Sequence, residues 1–137
     1  MGNMSQTMFS SSLRGADTYT STVITNHTAK GGIFYLDITG EYAGSSTTLN
    51  ITLQGLDVIS GDWFDLDNHV VGTGAYAFAE ATAVTTGPTV LTIYPGLTAN
   101  ANAVCSGVLP HVFRASAVVA GTSTPKMTFS LGVDLIK

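Results

Sequence analysis

The stretch GGIFYLDITGEYAGSSTTLNITLQGLD, Gly31 to Asp57, constrains the fold more than any other. Phe34, Leu36 and Ile38 alternate with Tyr35, Asp37 and Thr39, and further on Leu49, Ile51 and Leu53 alternate with Thr48, Asn50, Thr52 and Gln54. A strand turns successive side chains to opposite faces, so each run builds one apolar and one polar face. The seven residues Gly40 to Ser46 are rich in Gly and Ser, and predict a hairpin loop between two strands.

The same signature recurs along the chain. Asp17 to Thr25, Trp63 to Leu66, Thr89 to Tyr94, Leu109 to Val119 and Lys126 to Ile136 read as strands, with a further strand and loop expected within His69 to Thr86. Gly121 to Pro125 reads as a turn, and Leu97 to Gly107 admits a short helical turn. About seven or eight short strands with turn residues between them predict an all-β domain. The expected form is an antiparallel β-sandwich, with a small β-barrel as the alternative.

Residues 1–16 lack this alternation. They are expected to form a flexible or partner-ordered N-terminal arm, apart from a single sandwich domain over residues 17–137. Met4, Met8, Phe9 and Leu13 are its candidate partner-binding side chains, because flexible Met side chains adapt to a neighbour's surface. On this reading the domain folds without residues 1–16.

Composition narrows the function. Only 10% of the 137 residues are charged, against about 25% in typical soluble domains. A surface of Thr, Ser, Ala, Gly and Asn suits packing against neighbours better than free solution. The five cations form no basic patch and the net charge is −4, so no direct contact with nucleic acid is expected. Neither a signal peptide nor a membrane-spanning run is expected. Cys105 is the lone cysteine and reads as a small packing residue.

Catalytic chemistry finds little support. There is no G-x-S-x-G elbow and no phosphate loop, and the three His residues have no ligand spacing. Asp57, Asp62, Asp65 and Asp67 do not match a calcium loop and read as turn residues. Asp62, Asp65 and Glu80 offer only a weak glycosidase pair. The expectation is a non-enzyme with no metal and no cofactor. Trp63, Tyr35 and Tyr42 remain candidates for a carbohydrate-stacking face.

Four segments carry a resemblance: FYLDIT (Phe34 to Thr39), LNITLQGLDVISGDWFDL (Leu49 to Leu66), LTIYPGLTANANAVCSGVLPHVFRASAVVAG (Leu91 to Gly121) and FSLGVDLI (Phe129 to Ile136). In order and spacing they resemble small β-rich virion structural proteins of tailed bacteriophages and prophages. The resemblance spans roughly residues 13 to 136 and brings no catalytic motif. It implies a capsid decoration, or cement, protein on the outer surface of the virion. The implied partners are the major capsid protein and further copies of the chain, most simply as a trimer. A tail or head–tail connector component is the alternative position, and a carbohydrate-binding β-sandwich module the alternative from another class.

Overall fold

The computed structural model describes residues 4–66, 77–82, 87–98, 100 and 103–137, the side chains of residues 4, 41–46, 77–82, 87 and 88 excepted. Among these the chain is all-β. The strands are β1 (Met4–Gly15), β2 (Asp17–Thr20), β3 (Ile24–Thr25), β4 (Gly31–Leu56), β5 (Trp63–Asp65), β6 (Ala77–Thr82), β7 (Gly87–Ile93), β8 (Val104–Cys105) and β9 (Val112–Ile136).

Two long strands form the frame. β4 and β9 pair antiparallel along their whole length, from Gly31 opposite Ile136 to Gly55 opposite Phe113. The expected hairpin at Gly40 to Ser46 is therefore not a hairpin. The chain runs on through it, and both halves of the stretch pair with β9 instead of with each other. Here composition misleads, because Gly- and Ser-rich sequence serves a bend as well as a reversal. The β4–β9 register shifts four times between Ile38 and Thr48. On β9 the expected turn is likewise a bend within one strand, with positive φ at Gly121, Ser123 and Thr124. Bulges of this kind bend a strand and let it pass from one sheet to another.

The bent ribbon lays its two halves face to face. On one side of the bend the order is β1, β9 (residues 126–136), β4 (residues 31–43), β7, β8. On the other, β2 and β3 flank β9 (residues 112–120), which pairs with β4 (residues 48–56), which in turn pairs with β6 and β5. Every pairing between named strands is antiparallel except β7 with β8. Leu36, Ile38, Leu131 and Phe129 line the inner face of one half, and Leu49, Ile51, Leu53, Ala115 and Ala117 that of the other. The alternation seen in the sequence thus has the correct phase in both halves, and the all-β architecture is the expected one.

The N-terminal segment departs from expectation. Met4–Gly15 is a strand hydrogen-bonded to β9, not an arm set apart from the domain. Met8 and Phe9 are both buried in the core, and Phe9 meets Phe129 edge to face at 5.5 Å. Two register shifts, between Thr7 and Phe9 and between Phe9 and Ser12, let two consecutive side chains point inward. That irregularity hides the strand from a period-two search. The short helical turn expected within Leu97 to Gly107 falls partly on residues outside those described; Ala103 and Val104 both donate to the Asn100 carbonyl just before and within β8.

Candidate interaction surface

The ribbon bends at one end, so the connecting segments 26–30, 57–62, 94–98 and 103–111 gather at the other. Leu109 donates its N–H to the Lys30 carbonyl at 2.9 Å, and Gly107 donates to Tyr94 at 3.3 Å. A Cβ on Gly55 would meet Leu66 and Pro110 at 3.3 and 3.4 Å, so the missing side chain lets both residues close over the end of β4. Val58, Ile59, Phe64, Leu97 and Val108 all lie at this end. They are half of the ten large apolar side chains exposed among the described residues.

The turn between β4 and β5 is built by Asp57. Its carboxylate accepts the Ile59 N–H and the Ser60 hydroxyl, both at 2.9 Å. Its carbonyl accepts from Gly61 at 2.8 Å, and its own N–H donates to Asp62 at 2.9 Å. Gly61 takes φ of +81°, which glycine adopts without strain. The hydrogen bond from Ile59 and then that from Ser60 hold the Asp57 carboxyl below its ordinary pKa. With the backbone used in this way, Val58 and Ile59 stand outward, 74% and 94% exposed. Such exposure on a hydrogen-bonded turn is unusual for aliphatic side chains.

Beside the turn, the Arg114 guanidinium lies 4.2 Å from the centroid of the Trp63 ring and donates to Gln54, which donates to Asp65 at 2.8 Å. One face of Trp63 is therefore occupied. Tyr35 projects from the outer face of the opposite half, where its hydroxyl donates to Asp134 at 3.1 Å. That bond, first among its causes, raises the Tyr35 pKa. The stacking face expected from Trp63 and Tyr35 is thus not assembled, and the Tyr42 side chain lies outside the described residues.

A small open pocket of about 70 Å³ lies at the same end, across the sheet from the turn. Residues 25–29 line it with Leu135 and Lys137. Asn26 shapes its wall: its amide accepts from the Ala29 N–H and donates to the Ala29 carbonyl, each at 2.8 Å. The His111 ring packs edge-on to His27 at 5.5 Å, and its Nδ1 lies 2.6 Å from the Asn26 carbonyl, so that nitrogen carries the proton.

The residues singled out in the sequence are scattered. Met8 and Phe9 are interior, Leu13 is 51% exposed near the bend, and the Met4 side chain lies outside the described residues. Asp57 serves the turn and Asp65 receives Gln54, while Asp67 and His69 lie outside the described residues. Among the described residues no three His, Cys, Asp or Glu side chains gather as metal ligands, and no helix is long and apolar enough to cross a membrane. Cys105 is fully buried, and burial pushes its thiol above the ordinary range. The apolar pair Val58–Ile59 was missed, although its signal was present: two aliphatic residues inside the turn-rich hexapeptide DVISGD.

No protein family matches the chain, and no curated protein matches it. Among solved structures, the chain is similar to one in a structure of the infectious bursal disease virus Gt strain, with a TM-score of 0.46 and 14% identity. The match covers 98% of this chain and 33% of that one, so the chain spans about a third of the length of the viral chain it matches.

Proposed function

We propose that this chain is a virion structural protein of a tailed bacteriophage, with no catalytic role, and that it serves as a capsid decoration protein. One observation carries the reading. The apolar loop end displays Val58, Ile59, Phe64, Leu97 and Val108, and all five fall within two of the four segments that resemble phage virion proteins. Exposed apolar side chains on a chain with so few charges favour a surface that is covered in use. The partners in this reading are the major capsid protein and further copies of the chain. Reinforcement of the shell comes from many modest contacts repeated over the lattice.

Copy number per purified particle, measured by quantitative mass spectrometry against the major capsid protein, tests the proposal. Near one copy per capsid subunit is expected. A few to a few dozen copies would place the chain in the connector or tail, and absence from the particle would overturn the virion role.

A further inference from the structure

The turn and the pocket sit at the same end of the ribbon, the pocket following β3 on one half and taking Leu135 and Lys137 from the other. The strand order across the half that holds β3 is β3, β9, β4, β5. The pocket follows β3 and the Asp57 turn joins β4 to β5, so between two and three strand spacings, roughly 12 Å, separate their strands. The two features are complementary. The turn presents Ile59 on a rigid support, flanked by the carboxylates of Asp57 and Asp62. The pocket is lined by Ala29, Leu135 and Lys137 among others, with Lys30 exposed at the position after Ala29. At about 70 Å³ it is too small for a cofactor or drug-sized ligand, which fill about 300 Å³ or more. It is of the order of one aliphatic side chain. Arg114, which lies beside the turn, is engaged with Trp63 and Gln54.

We propose that Ile59 of one copy inserts into the pocket between Ala29, Leu135 and Lys137 of a second copy, with Asp57 and Asp62 facing Lys137 and Lys30 across the contact. The contact joins unlike features, and taken head to tail it leaves one unused turn on one copy of a pair and one unused pocket on the other. Repetition closes a ring when the rotation permits. The apolar insertion supplies the attraction, and the charges fix its direction. The inference takes up the loop end as an assembly surface, as the particle role does, and commits it to contact between copies.

Sedimentation of the purified full chain over a concentration series tests it. Wild type associates reversibly. Ile59→Asp, at a position too exposed to affect folding, and Thr28→Trp, which fills the pocket, each weaken association by about tenfold or more. Mixing the two variants restores a one-to-one dimer and nothing larger, because each supplies the half that the other lacks. Circular dichroism checks that Thr28→Trp is folded; if it is not, Lys137→Glu replaces it in the mixture. A wild type that stays monomeric, an Ile59→Asp variant that associates like wild type, or a mixture that stays monomeric overturns the proposal. These results are independent of particle copy number, so either reading can fail while the other stands.

Discussion

Phe34 and Phe113 pack edge to face, with ring centroids 6.1 Å apart and planes at 71°. Along the ribbon they belong to opposite ends: Phe34 pairs with Val133, and Phe113 pairs with Gly55. The 21 residue-to-residue steps of β4 from Phe34 to Gly55 would span about 70 Å if straight. This contact is therefore the signature of a ribbon folded onto itself, and it spans the two halves at the loop end. Phe113→Ala is expected to cost about 3–5 kcal/mol, as for other buried aromatics. Urea unfolding measures it; a loss below about 1 kcal/mol would mean that the halves are held together elsewhere.

The phase of the strands gives a paired test. Ile51 is fully buried, whereas its neighbour Thr52 points to the outer face beside Ser116. Ile51→Asp buries an unpaired carboxylate at a cost of several kcal/mol and is expected to unfold the domain. Thr52→Asp should change the melting temperature little. Similar behaviour of the two variants would contradict the register.

These positions also show what was legible in the sequence. A face repeated every two residues depends only on local alternation, and β4 and β9 carry it openly. Pairing partners do not leave such a mark. Gly40 to Ser46 has the composition of a reversal, yet it pairs with residues about 80 positions away on β9. β1 was lost for the opposite reason, because its bulges break the alternation while leaving Met8 and Phe9 in the core. The loop end was harder still. Val58 and Ile59 are apolar residues whose meaning comes from being outside, and exposure belongs to the assembled fold.

Deletion of residues 1–16 is accordingly expected to unfold the domain. It would remove Met8 and Phe9 from the core and expose the edge of β9 from Lys126 to Leu135. Far-ultraviolet circular dichroism and thermal melting decide it. A truncated chain with native-like strand signal and melting would show that β1 is dispensable.

Arg14 secures the same strand. Its guanidinium donates to the carbonyls of Ser10, Ser12 and Phe129 and lies 4.4 Å from the Phe129 ring centroid and 5.1 Å from that of Phe9. Partial burial lowers its pKa, and a guanidinium remains charged at neutral pH all the same. Arg14→Ala should cost on the order of 2 kcal/mol through lost charge-assisted bonds and packing. Arg14→Lys should recover little, since an ammonium lacks the fork that reaches three carbonyls at once. Hydrogen exchange should quicken in β1 in both variants; full rescue by Lys would reduce the role of Arg14 to its charge.

Gly31 is fixed by close approach. A Cβ there would overlap the Ile93 carbonyl oxygen and press on the Tyr94 ring, where β4 enters the sheet between β9 and β7. Backbone cannot yield as a flexible side chain can, so Gly31→Ala is expected to cost about 2 kcal/mol or more. In Gly55→Ala the nearest atoms are the end of Leu66 and the Pro110 ring, at 3.3 Å and beyond, so it should be milder. Denaturation midpoints of the two variants test the order, and a reversed order would place the tight contact at the other end of β4.

Asp57 links the turn to pH. Its folded pKa lies below the ordinary value because Ile59 and Ser60 hydrogen-bond to the charged form. A depressed carboxylate contributes stability that is present above its unfolded pKa, near 4, and is lost as pH falls through the lower folded value. The turn should therefore hold its geometry at neutral pH and loosen only in acid below about pH 4. Since the group is solvent-exposed, the effect on global stability is small and the local effect is the one to measure. Nuclear magnetic resonance of the Ile59 and Gly61 amides through an acid titration should show them shifting with the Asp57 carboxyl. Asp57→Asn should keep an acceptor for the Ile59 N–H and remove that titration, whereas Asp57→Ala should free the turn at every pH. Unchanged Ile59 and Gly61 amides in Asp57→Ala would show that the outward stance of Val58 and Ile59 is set by the flanking strands and not by this carboxylate.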